Sequence, residues 1–156
     1  MPNNSVPISK LDTEQSNFLD KCLFSGKNYW ISGFPGSGKS TILEHCVRLI
    51  KADKPKASIL VVVFTRSLIE MFRAAFKEMD LQNVNIVTMY EFMRSSRKYD
   101  YILCDEVQDL TTRIIEELRR RSSVLITAGD ENQSIFQIDP TYKELKFPTF
   151  RKRPIK

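Results

Sequence analysis

Gly33-Phe34-Pro35-Gly36-Ser37-Gly38-Lys39-Ser40 stands between a strand-like run, Asn28 to Ser32, and a helix-like run, Thr41 to Ile50. It matches G-x-x-x-x-G-K-[ST], and a strand entering and a helix leaving is the context such a loop needs. Glycines let the backbone curl so that successive N–H groups face phosphate oxygens, and the helix that follows adds the positive end of its dipole. Lys39 would reach the β- and γ-phosphates, and the Ser40 hydroxyl would ligate Mg²⁺. The nucleotide-contacting positions are thus Gly33, Pro35, Gly36, Ser37, Gly38, Lys39, Ser40 and Thr41. They point to ATP and Mg²⁺ as cofactors.

Strands and helices alternate on either side of this loop. Asp12 to Ser25 reads as a helix with Asp12 as N-cap. Downstream, Lys54-Pro55-Lys56 breaks the helix that begins at Lys39, and Ser58 to Phe64 is a continuous β-branched run of the kind buried on both faces in parallel sheets. Ser67 and Glu70 form a capping-box pattern opening a helix with Leu68, Phe72, Phe76 and Met79 on one face. Val84 to Met89, Tyr99 to Cys104 and Val124 to Ala128 read as further strands, and Thr111 to Arg121 as a helix. The expectation is an α/β fold: a P-loop NTPase with a doubly wound, mainly parallel sheet of about five strands, ligand at their C-terminal ends. In the helix from Lys39, Ile42, Leu43, Cys46, Leu49 and Ile50 form the apolar face. The single histidine, His45, falls beside Glu44 and Arg48 on the polar face, without partners spaced for a metal site.

With 156 residues and 42% apolar composition, the chain is one ordinary domain. Its longest purely apolar run, Ile59 to Phe64, is far short of the ~20 residues that span a bilayer, and the polar start has no signal-peptide core. A cytoplasmic protein with no membrane partner is expected. Cys22, Cys46 and Cys104 are odd in number and widely spaced, so buried free thiols are the default. The net charge of +5 is unevenly placed: residues 1–142 are balanced, and the excess lies in Lys143, Lys146, Arg151, Lys152, Arg153 and Lys156. Arg119-Arg120-Arg121 follows Glu116 and Glu117 by one turn and reads as a salt-bridged helix face. The chain divides into a flexible start (1–10), a nucleotide-binding domain (11–142) and a basic tail (143–156).

Two polar clusters close the strands. Tyr99 to Cys104 runs into Asp105-Glu106, where a nucleotide enzyme holds its metal: Asp105 would bind Mg²⁺ directly or through water, and Glu106 would orient and deprotonate the attacking water. Capping of the Thr111 helix is the bland alternative for these acids. The last strand ends in Gly129-Asp130-Glu131-Asn132-Gln133-Ser134, from which Gln133 could hydrogen-bond the γ-phosphate or its attacking water and report whether that phosphate is present. Lys39, Glu106 and Gln133 form the candidate catalytic set, and Ser40 with Asp105 the metal-binding pair.

These elements resemble the UvrD/Rep-like superfamily 1 helicases: GFPGSGKST, Asp105-Glu106-Val107-Gln108-Asp109, and Gly129-Asp130-x-x-Gln133-Ser134-Ile135-Phe136 stand in the family's order. The fold implied is the first RecA-like domain. Leu11-Asp12-x-x-Gln15 is similar to the Q motif, which implies that Gln15 reads adenine, although Gln15 also completes a capping box with Asp12. Val63-Phe64-Thr65 is similar to motif Ia on single-stranded DNA. Together with Phe64 and Thr65, Arg66, Thr88 and Tyr90 sit at strand ends where a nucleic-acid backbone would lie. Phe147 to Arg151 is similar to the start of motif IV, which implies that Arg151 meets the γ-phosphate.

The resemblance covers the first half of a motor. It implies slow ATP hydrolysis alone, with a second RecA-like domain or partner protein supplying an arginine finger. Two departures stand out. The helical subdomain common between motifs Ia and II has no room here, because only Glu91 to Lys98 separates the third strand region from the fourth. Ile138 and Asp139 occupy positions where the family usually has a base-stacking aromatic and an arginine. A different class of reading is an ATP- or ADP-dependent switch that recruits a partner through its basic tail.

Overall fold

The computed structural model describes residues 28–33, 39–105, 111–130 and 142–146. Its elements are β1 (Asn28–Gly33), α1 (Lys39–Asp53), β2 (Ile59–Val63), α2 (Arg66–Glu78), β3 (Val84–Thr88), α3 (Met89–Met93), β4 (Tyr99–Cys104), α4 (Thr112–Arg120), β5 (Ser122–Asp130) and β6 (Tyr142–Lys146). The strands form one sheet in the order β3-β2-β4-β5-β1-β6, and each neighbouring pair is parallel. The fold is the doubly wound α/β arrangement expected from the alternation of elements.

β2 shows why its sequence is apolar without a break. Successive side chains point to opposite faces, and both faces are covered. Ile59, Val61 and Val63 join Ile42, Leu43, Cys46, Val47 and Ile50 of α1 and Ile69, Phe72 and Phe76 of α2 in one core layer. Leu60 and Val62 join Met89 and Phe92 of α3 and Ile115 and Leu118 of α4 in the other. All five residues of β2 are buried.

Caps set the helix boundaries, and the first differs from the sequence expectation. α2 is capped by Thr65, whose hydroxyl accepts from Leu68 N at 3.2 Å. Glu70 is not a capping partner of Ser67; it pairs with Arg73 at 2.8 Å. The reciprocal capping box lies instead at α3, where Thr88 Oγ1 accepts from Glu91 N at 3.2 Å and Glu91 Oε1 accepts from Thr88 N at 2.9 Å. The pattern Thr88-x-x-Glu91 was open to view, but the apolar run around it reads as strand. α2 ends with Asp80 in the left-handed region (φ 59°), Asp80 N donating to Lys77 O at 3.0 Å and Leu81 N to Phe76 O at 2.8 Å. That pair of bonds satisfies carbonyls the helix would otherwise leave open.

Two elements exceed the expected set. α3 occupies part of the stretch read as a mere separator, and β6 makes a sixth strand that pairs with β1 from Asn28↔Tyr142 to Ser32↔Lys146. β6 straddles the expected start of the basic tail. Its residues, Tyr-Lys-Glu-Leu-Lys, carry a weak strand signal of their own. The helix expected over Asp12 to Ser25 lies outside the described residues.

Candidate nucleotide site and strand-end surface

Because every described strand is parallel, their C-terminal ends share one edge of the sheet. β1 delivers Gly33 to that edge in register with Asp130 of β5. Beyond the loop residues 34–38, the chain enters α1 at Lys39 and Ser40, so the motif's last two residues form the first turn of a 15-residue helix. The strand–loop–helix context is therefore present, with the helix N-terminus toward the loop. Pro35, Gly36, Ser37 and Gly38 lie outside the described residues, as do the side chains of Lys39 and Ser40.

β4 brings the acid to the same edge. Asp105 directly follows the strand, is 3% exposed, and its backbone N–H donates to Val62 O at 3.3 Å. Cys104 lies opposite Val62 on one side and Thr127 of β5 on the other, so a single strand, β5, separates the acid's strand from the loop's strand. Two strand spacings amount to about 10 Å. Asp105 thus lies at the same edge as Gly33. An aspartate carboxylate and a serine hydroxyl are hard oxygen donors, the type that suits Mg²⁺, and on that chemistry the residues fit the ion. The neighbouring Cys104 thiol is held well above its usual range by burial and by the Asp105 charge, so it stays protonated and inert. Glu106, Gln133, Gln15 and Arg151 lie outside the described residues.

α1 corrects one expectation. Residues 41–47 are all buried, and these include Thr41, Glu44 (2% exposed) and His45 (4%). Glu44 and His45 therefore do not lie on a solvated polar face. Helical periodicity assigns one face to the core, but this helix is enclosed on most sides in its first two turns, packed against the sheet and α2. A buried carboxylate survives only with partners of its own, which is a nonlocal condition.

The five candidate nucleic-acid residues assemble on the ends of two adjacent strands. Val63 is in register with Thr88, so Phe64, Thr65 and Arg66 after β2 stand beside Thr88, the last residue of β3, and Tyr90 in α3. Phe64 is 37% exposed and Tyr90 69%, the two exposed large hydrophobic residues among those described. Thr65 and Thr88 each use a lone pair to cap a helix. The hydroxyl hydrogen of each is left to donate to an oxygen acceptor.

Sequence reading missed one residue near this surface and misread another at the opposite edge of the sheet. Arg94 lies 5.4 Å from the Tyr90 ring centroid. Arg121 is not part of an exposed salt-bridged face: it is 1% exposed, its Nε donates to Arg97 O at 2.9 Å and its Nη1 to Phe92 O at 2.6 Å. Arg120 does fit the expectation, pairing with Glu117 at 2.5 Å. The difference is that Arg121 is the C-cap of α4, where the chain turns inward to enter β5.

A model of the AAA domain family (AAA_19) matches residues 20–139. Among solved structures, the chain is similar to the UvsW helicase from bacteriophage T4 (TM-score 0.67, 14% identity, 88% of this chain and 59% of that one). It is similar to the DUF1998 helicase MrfA bound to DNA (TM-score 0.65, 14% identity, 94% and 30%). It is also similar to the Sulfolobus solfataricus SWI2/SNF2 ATPase core in complex with dsDNA (TM-score 0.61, 14% identity, 76% and 31%). At such identity the likeness is one of fold, that of a helicase-type RecA-like P-loop domain. The chain spans about a third to three-fifths of the length of these structures. No curated protein matches it. No helix among the described residues is long and apolar enough to cross a membrane.

Proposed function

Because this chain belongs to the AAA domain family, we propose that its strand-end site binds and hydrolyses Mg²⁺-bound ATP, as the first motor lobe of a superfamily 1, UvrD/Rep-like DNA helicase. The observation that carries the reading is the placement of buried Asp105 at the sheet edge where Gly33 enters the loop, one strand intervening.

Each residue then has a role its chemistry suits. Backbone N–H groups of Pro35 to Gly38 and the α1 N-terminus would hold the phosphates, and Lys39 would offset the charge that builds on the β/γ bridge. Thr41 continues this cradle, and Gln15 would read adenine. Ser40 and Asp105 would hold Mg²⁺, which supplies neutralisation of phosphate charge when bound. Glu106 would take the proton from the attacking water, and Gln133 would hydrogen-bond the γ-phosphate or that water. Arg151 would approach the γ-phosphate from the basic tail.

Phe64, Thr65, Arg66, Thr88 and Tyr90 supply stacking faces and phosphate donors for a DNA strand. One lobe cannot change a separation between two lobes, so translocation would require a second RecA-like domain. An arginine finger from that domain or a partner protein would add on the order of 10³-fold or more in rate. ATPase assays of the wild type, Lys39→Ala and Glu106→Gln test this reading, with and without single-stranded DNA. Slow, Mg²⁺-dependent turnover that both substitutions abolish and DNA stimulates is the expected result. Undiminished turnover in Lys39→Ala overturns it, and turnover indifferent to DNA favours a nucleotide-dependent switch.

A further inference from the structure

The connection between α3 and β4, Arg94-Ser95-Ser96-Arg97-Lys98, carries three cations. Thr88, just before α3, is in register with Val63 at the C-terminal edge, and Tyr99, just after the connection, is in register with Ser122 at the N-terminal edge, so α3 and the connection together descend the side of the sheet. Arg94 sits 5.4 Å from the Tyr90 ring centroid, and Arg97 sits 4.7 Å from that of Tyr99. All five residues of the connection are exposed. They form a basic stripe interleaved with aromatic rings, and Tyr90 joins it to the strand-end surface.

Two further features make it a built surface. The neighbouring acids are turned to backbone donors: Glu91 Oε1 accepts from Thr88 N at 2.9 Å, and Asp100 Oδ2 accepts from Ser58 N at 3.0 Å. The backbone is also gripped from within, since buried Arg121 binds the carbonyls of Phe92 and Arg97, and Ser95 Oγ accepts from Arg97 N at 3.2 Å. The cations are thus presented on a fixed track whose side chains are free of the clamp.

We propose that this stripe is a nucleic-acid backbone track, which carries a strand or duplex arm away from the strand-end surface down the side of the domain. The inference rests on the reading of that surface as a nucleic-acid site and names where the polyanion goes next. Guanidinium groups beside aromatic rings keep edge donors for phosphate oxygens, and Tyr90, 69% exposed, offers a face to a base. An acidic peptide would use the cations but has no need of the rings, so nucleic acid is the better fit.

The test is a triple variant of the full chain, Arg94→Gln/Arg97→Gln/Lys98→Gln, titrated against a fluorescein-labelled oligothymidylate over a salt series. Circular dichroism and fluorescent ATP-analogue binding serve as controls; both should match the wild type, because Arg121 holds backbone carbonyls and not these side chains. If three phosphate contacts are lost, the slope of log K against log salt should flatten by about 2. A wild type that binds with a slope unchanged in the variant overturns the track and leaves the strand-end reading standing. A wild type that does not bind the oligonucleotide at any salt overturns both. Equal competition by polyglutamate of matched charge overturns the assignment to nucleic acid.

Discussion

The guanidinium carbon of Arg121 lies 3.8 Å from the centroid of the Phe92 ring, while its Nη1 donates to the carbonyl of that same residue at 2.6 Å. One side chain thus satisfies the end of α3 and covers an aromatic face beside it. Nη1 also lies 3.6 Å from Glu117 Oε2. Desolvation lowers the arginine's pKa and the Glu117 charge opposes that fall. Removing this side chain leaves the carbonyls of Phe92 and Arg97 without their donor, a loss of about 1–3 kcal/mol for each buried group left unsatisfied. Arg121→Met should therefore lower stability by about that amount in urea titrations, and Arg121→Lys by less, since an ammonium can still reach a carbonyl.

Thr65 separates capping from recognition. Thr65→Ala removes the α2 cap and should cost about 1 kcal/mol. Thr65→Asp keeps a capping oxygen, so thermal unfolding should stay near that of the wild type, yet it places an anion at the strand end. Fluorescence anisotropy with single-stranded DNA should show weakened binding in the aspartate variant. Equal binding by Asp and wild type would argue against contact at this position.

Glu91 gives the fold a pH dependence of known sign. The Thr88 backbone N–H, followed by its hydroxyl, favours the ionised carboxylate and holds its pKa below the ordinary 4.5. A group depressed in the folded state contributes stability that is present above the unfolded pKa and is lost as pH falls through the folded value. The wild type should therefore lose more thermal stability between pH 6 and pH 3 than Glu91→Gln does, each measured by calorimetry across that range. A parallel decline in both proteins would count against the capping box.

Asp105→Asn keeps the size of the side chain and removes its charge. If the carboxylate binds Mg²⁺, ATP turnover should fall about 10²-fold or more and saturate at higher Mg²⁺, while stability changes little. A magnesium titration of the ATPase rate, beside a urea titration, distinguishes loss of the metal ligand from loss of the fold.

The legible parts of this fold were those written in consecutive residues. A run such as Ile59–Val63 is apolar throughout because it is buried on both faces. Even caps were open to local reading, although the Ser67 and Glu70 pattern competed with the true cap at Thr65, where the chain leaves β2. Glu44 and His45 were misplaced because helical periodicity describes one helix and not how many neighbours enclose it.

By itself, the sequence determined the alternation of strands and helices, since this depends on local pattern and side-chain type. Only the tertiary structure decided that Arg121 is an internal clamp while Arg120 stays on the surface, and that polar Tyr142–Lys146 is a strand. It also decided that a single strand, β5, lies between the strand that leads into Asp105 and the strand of Gly33. These outcomes follow from pairing between distant segments: a carbonyl, a strand edge or a ring supplied from elsewhere in the chain sets the energy of the residue that meets it.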